Sequence, residues 1–149
     1  MSLRGIELAF ADGDYLFDLP LPQIKALQES CGVTLFEIYA SILKGRYVTP
    51  TGEVGAMNEA AANPVHIWEV IRLGLVGGSS GNVNGETVEV DATRARKLVE
   101  QYCMAPGVSL RSAWDLASAI LAARVEGYDP PKKAEPVEPA QPSGSTSDK

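Results

Sequence analysis

A chain of 149 residues is long enough for one domain with a real core and too short for two comfortable ones. Apolar residues make up 45% of it and charged residues 21%, the balance of an ordinary globular protein, and no apolar run approaches the roughly 18–20 residues of a membrane span. The net charge of −6 falls wholly on residues 1–129, because the last twenty residues carry equal numbers of acids and bases, and so acidic a body argues against a nucleic-acid partner.

Arg94, Arg96 and Lys97 lie close together, but Asp91 and Glu100 flank them, and the group reads as a solvated helix face. Met1 to Gly5 lack the basic-then-apolar pattern of a secretory signal, so a cytoplasmic protein is expected. Cys31 and Cys103, without a CxxC spacing or a histidine partner, read as buried free thiols, with a disulfide as the alternative only where the fold brings the two together.

Residues 5–19 read as a β-hairpin. Ile6, Leu8 and Phe10 alternate with Glu7 and Ala9, and Tyr15, Phe17 and Leu19 alternate with Leu16 and Asp18. Asp12-Gly13 between the two runs is a hairpin-turn pair. A lone hairpin is marginal in water, so this one must pack on helices or pair with another chain.

Helical punctuation follows. Pro22, Ile24, Leu27 and Cys31 outline a first helix ended by Gly32. Thr34 and Glu37 have the spacing of a capping box, and Leu35, Ile38, Tyr39, Ile42 and Leu43 then repeat as one buried helical face, stopped by Gly45. Residues 46–62 are the least legible: Thr49 to Gly52 read as a turn, and Ala56 to Ala62 as either a short helix or a loop. Asn63 caps a helix with Pro64 at its first position, and Val65, Ile67, Trp68, Ile71, Leu75 and Val76 make it a central, heavily buried one closed by Gly77-Gly78.

Gly77 to Gly85 read as a flexible loop, after which Glu86–Val90 can add a short strand. Asp91 caps the next helix, with Ala95, Leu98, Val99, Tyr102 and Cys103 on one face, and Pro106-Gly107 breaks it. Ser109 caps the last helix, with Leu110, Ala113, Trp114, Ala117, Ile120 and Leu121 inward and Gly127 at its end. Residues 130–149, rich in Pro, Lys, Glu and Ser, read as a disordered tail, because they cannot bury enough surface to offset the entropy of ordering. The expected architecture is therefore α+β and predominantly α-helical: an N-terminal β-hairpin on a bundle of about five helices within residues 1–129, then the tail.

Chemistry is sparse. His66, the single histidine, sits in the first turn of a helix beside apolar neighbours, with no nucleophile at a recognisable spacing. Asp12, Asp14 and Asp18 lack the loop and the terminal Glu of a calcium hand. Gly77 to Gly81 follow a helix and precede no Gly-Lys-Ser/Thr, unlike a phosphate loop. No catalytic residue, cofactor or metal is expected. A binding role is, because aromatics dominate interface hot spots. Core packing is the simpler reading of Trp68 and Trp114, while the hairpin aromatics suit surface and core equally. Phe10, Tyr15 and Phe17 are the first candidates for partner contact. Trp68 and Arg72 come second, since a charged residue on so apolar a helix marks its exposed side.

The run Gly5-Ile6-Glu7-Leu8-Ala9-Phe10-Ala11-Asp12-Gly13-Asp14-Tyr15, followed by Gln23-Ile24 and Leu27-Gln28, resembles the gene transfer agent family of tail proteins, relatives of the tail assembly chaperones of long-tailed phages. The resemblance continues at Ile38-Tyr39-Ala40, Lys44-Gly45-Arg46-Tyr47 and Glu69 to Gly78, then at Leu98-Val99, Ala113 to Ala117 and Glu126 to Pro131, with residues 48–62 more variable. It implies a cytoplasmic factor, absent from the finished particle, that binds the tape measure protein, helps tail tube protein polymerise around it, and forms homo-oligomers. The alternative is a structural tail component, a tube or connector subunit, although such subunits are usually richer in strands.

Overall fold

In the computed structural model, which describes residues 5–48, 54–56 and 60–127, the N-terminal alternation becomes a hairpin of β1 (Ile6–Phe10) and β2 (Gly13–Phe17). Ile6 lies opposite Phe17 and Leu8 opposite Tyr15, so the large side chains share one face as period-2 alternation requires. The turn lies one residue earlier than the Asp12-Gly13 pair suggests. Its two central residues are Ala11, at φ 57°, and Asp12, while Gly13 already pairs with Phe10. Gly13 serves packing instead: a Cβ there would overlap the Asn82 carbonyl oxygen on the neighbouring strand.

Two short helices follow, α1 (Leu21–Cys31) and α2 (Leu35–Leu43). Gly32 ends α1 at φ 74°. The capping box of α2 closes in both directions: Glu37 N–H donates to Thr34 Oγ1 at 3.1 Å, and Thr34 N–H donates to Glu37 Oε1 at 2.9 Å. Caps of this kind contribute about 1 kcal/mol each. The illegible stretch holds a small ribbon of its own, β3 (Arg46–Val48) paired antiparallel with β4 (Val54–Ala56). The turn expected at 49–52 lies outside the described residues, and residues 60–62 form neither helix nor strand.

The helix α3 (Pro64–Gly78) is the central element, packed against α1, β2, α4 (Ala92–Tyr102) and α5 (Leu110–Glu126). Its apolar stripe wraps more than half the helix, burying Ile67, Val70, Ile71, Leu73 and Leu75. Gly74, Gly77 and Gly78 follow at helical spacing on the side that meets β2. A Cβ at Gly77 would overlap the Asp18 carbonyl oxygen, and one at Gly78 the Leu16 carbonyl oxygen. Strand and helix backbones therefore touch directly, and Asp18 N–H donates to the Gly74 carbonyl at 3.1 Å.

The flexible loop expected at Gly77 to Gly85 is instead the end of α3 and most of a second hairpin, β5 (Ser80–Val83) and β6 (Glu86–Glu89). Asn84 and Gly85 form its turn with φ of 54° and 84°, the double left-handed conformation of a two-residue hairpin loop. β5 adds to β2 through Asp14↔Asn82 and Tyr15↔Gly81, giving an antiparallel sheet in the order β1-β2-β5-β6. Glycine and serine hid this strand from composition because the ladder, not side-chain hydrophobicity, holds it.

Asp91 and Ser109 cap α4 and α5 as their sequence positions suggest. Ala95, Leu98, Val99, Cys103, Ala113, Ala117, Ile120 and Leu121 face the core. The Arg124 guanidinium donates from Nε to the Leu19 carbonyl at 2.8 Å, tying the end of α5 to the segment between sheet and α1. Three apolar residues assigned inward are exposed instead: Leu43, Val65 and Leu110. Each lies in the first or last turn of its helix, where no neighbour reaches over it. The fold is thus α+β and mainly helical, with the hairpin packed on helices; the tail assigned to residues 130–149 lies outside the described residues.

Candidate binding groove

The hairpin aromatics are core rather than surface. Tyr15 is 0% exposed and Phe17 1%, which corrects the expectation that they offer a face to a partner. Phe10, half-buried, sets its ring edge-on to Tyr15 at 6.1 Å, Phe17 at 6.0 Å and Tyr102 at 6.3 Å. The sheet uses this face to cover the helices, and the marginal stability of a lone hairpin is met inside the chain. Phe10 borders an opening, a hollow of about 330 Å³ shared with Tyr102, Cys103, Val108 and Leu116.

Trp68 and Arg72, by contrast, come together in a groove of about 340 Å³ between α3 and α4. Trp68, Ala92 and Met104 supply its apolar surface over the buried Val99, and Glu69, Arg72, Arg96 and Glu100 supply its charges. Helical spacing explains the set: Trp68, Glu69 and Arg72 fall on the α3 face left over once Ile67, Ile71 and Leu75 turn inward. Arg72 is not the fully exposed marker its sequence position suggests. It grips Glu69 through Nε to Oε2 at 2.9 Å and through its terminal NH2 to Oε1 at 2.7 Å. The guanidinium holds the Glu69 carboxyl below the usual carboxylate range; burial opposes this and the Ser30 hydroxyl, 2.8 Å from Oε1, assists it. Arg96 and Glu100 face each other more loosely at 3.9 Å on the exposed side of α4.

Trp68 Nε1–H is buried and has no acceptor among the described residues. An orphan buried donor costs about 1–3 kcal/mol. Met104, 46% exposed just beyond α4, forms the opposite lip. Methionine and tryptophan together suit an apolar partner segment of adaptable shape. Sequence reasoning places Val99 only on the buried face of its helix and misses Met104; the signal for it is a methionine directly after a buried helical stripe. Trp114, the other tryptophan, is half-buried and donates from Nε1 to the Ile42 carbonyl at 2.7 Å, holding α5 to α2.

No group of three or more His, Cys, Asp or Glu side chains that could hold a metal occurs among the described residues. His66 is half-buried at the start of α3. No described helix is long and apolar enough to cross a membrane. Both cysteines are free; Cys103 is buried as expected, whereas Cys31 is only half-buried. Burial pushes the Cys103 thiol up to about 11, and burial likewise raises that of Cys31. An aromatic disulfide reagent at pH 8 is accordingly expected to titrate Cys31 first and to reach Cys103 only on unfolding. Equal rates for the two thiols in the native protein would contradict the placement of Cys103. Comparison with known proteins finds no matching family model, no similar curated protein and no similar solved structure.

Proposed function

We propose that this chain is a tail assembly chaperone of the phage and gene transfer agent kind, a cytoplasmic factor that binds the tape measure protein and assists tail tube assembly without turnover. The observation that carries this reading is the α3–α4 groove: an apolar strip of Trp68, Ala92 and Met104 with paired charges along its rim. Tape measure proteins are long, helical and prone to aggregate. An amphipathic client helix would lay its apolar face against this strip and set its polar flanks against Arg72, Arg96 and Glu100. The ordered resemblance along the sequence supports the same role.

Co-expression with a tape measure protein, followed by pull-down and mass measurement, tests the proposal. The expected result is co-purification, higher client solubility and no chain in mature particles. Met104→Glu places a charge on the apolar lip at an exposed position. It is expected to weaken capture about tenfold or more, roughly 1.4 kcal/mol, with the fold intact. Failure to bind, together with stoichiometric rings of this chain in purified particles, would replace the proposal with that of a structural tube or connector subunit.

A further inference from the structure

The helix α2 is apolar on two faces. Leu35, Ile38 and Ile42 point into the core, but Phe36, 67% exposed, and Leu43, 43% exposed, form a second stripe with exposed Ala40 between them. At about 100° per residue these three fall within an arc of about 60°. Glu37 and Lys44, both exposed, lie together along one margin of that arc, one near each end of the helix. A second amphipathic stripe on a nine-residue helix exceeds what folding of the chain requires, and it points outward.

We propose that this stripe is an isologous contact between two copies of the chain, with the α2 helices antiparallel about a two-fold axis at Ala40. The charge pattern selects that occupant. A two-fold axis perpendicular to both helices keeps each margin on its own side and inverts height along the helix. With a rise of about 1.5 Å per residue, Glu37 of one copy then lies within about 1.5 Å in height of Lys44 of the other, and the pairing occurs twice. Phe36 of each copy meets Leu43 of the other at nearly the same height. Ala40 faces Ala40 on the axis, where a small side chain lets helices approach to about 8 Å. Lys44 makes no salt bridge with any described residue, and Glu37 uses Oε1 for its cap, which leaves Oε2 for the incoming ammonium. A parallel pairing about an axis along the helices would carry this margin to opposite flanks of the contact and form neither Glu37–Lys44 pair. One nine-residue helix covers less than the roughly 800 Å² per partner of a standard interface, so the dimer is weak and concentration-dependent.

The inference rests on α2 and not on the α3–α4 groove, and it is measured on the full chain alone, without a client. Light scattering or sedimentation from about 1 to 300 μM is expected to show reversible dimerisation in the micromolar range. Phe36→Glu, at an exposed position, is expected to raise the dissociation constant at least tenfold with an unchanged circular dichroism spectrum and melting temperature. Lys44→Glu is expected to weaken the dimer severalfold, and more at low salt than at high. Ala40→Cys is expected to form a disulfide-linked dimer under mild oxidation that the wild-type chain, with Cys31 and Cys103 only, does not form. A monomer throughout the concentration range overturns the proposal, as does a dimer indifferent to Phe36→Glu. Phe36→Glu that abolishes client capture while leaving the chain's own mass unchanged also overturns it, and assigns the stripe to the client instead. Loss of dimerisation with client capture intact supports the α2 contact and leaves the groove reading standing.

Discussion

Phe17→Ala is expected to destabilise the fold by about 3–5 kcal/mol, the usual cost of emptying a buried phenylalanine site. Phe17 is 1% exposed, stacks edge-on with Phe10 and lies against Gly74 of α3, where its Cδ1 is 3.2 Å from the place a Cβ would occupy. The space cannot collapse easily, because sheet and helix are already in backbone contact on either side of it. Against a total stability of about 5–15 kcal/mol, such a loss removes a large share, and the melting temperature should fall by about 10 °C or more. Chemical denaturation of the two proteins measures it directly. A change within about 0.5 kcal/mol is what a solvent-facing aromatic would give, and that outcome would return the hairpin face to the list of partner surfaces.

Gly78→Ala is expected to cost about 2 kcal/mol or more, against the ordinary trend for helices. Alanine is intrinsically better than glycine inside a helix by about 1 kcal/mol. Here the added methyl would collide with the Leu16 carbonyl oxygen, a backbone atom of β2 that cannot rotate away. Either α3 retreats from the sheet or β2 shifts, and the Asp18–Gly74 hydrogen bond lies beside the displacement. Because β2 carries β5 on its other edge, strain at Gly78 should loosen the second hairpin as well. Hydrogen exchange should then show faster exchange at the β2–β5 ladder than in the wild-type chain, in addition to the lower midpoint in denaturant. A stabilised Gly78→Ala protein would mean that strand and helix are farther apart than described.

The two substitutions separate what is local from what is not. The helices were legible because their signals are contained within a few residues. Thr34 and Glu37 cap each other, Asn63 accepts from Val65 N–H at 2.9 Å, and Asp91 accepts from Arg94 N–H at 2.8 Å, all within one turn of helix. The glycine-rich segment after α3 looks like a loop in sequence for the opposite reason. Asn84-Gly85 is a strong hairpin turn by local rules, yet Ser80 to Val83 carry almost no apolar signal, and their strand exists only because the outer edge of β2 is there to pair with it. Glycines that looked like flexibility are close approaches: a Cβ at Gly81 would press on the Tyr15 ring, and one at Gly13 on the strand beside it.

The candidate site divides in the same way. Trp68 and Arg72 are nameable from one helix, but the groove they line needs Val99 of another helix and Met104 just beyond it, some thirty residues on, and nothing in the sequence registers α3 against α4. Apolar type identified which residues were available for burial and not which would be covered. Tyr15 and Phe17 went inside because helices lie over their face, while Phe36, Leu43, Val65 and Leu110, equally apolar, were left outside. Periodicity, capping and turn chemistry, being properties of neighbours in sequence, determined by themselves the hairpin, the five helices and the α+β class. Strand order, the glycine contacts between α3 and β2, the groove and the outward stripe on α2 were decided only in the tertiary structure, because each depends on the free energy of bringing together segments that do not interact until the chain has folded.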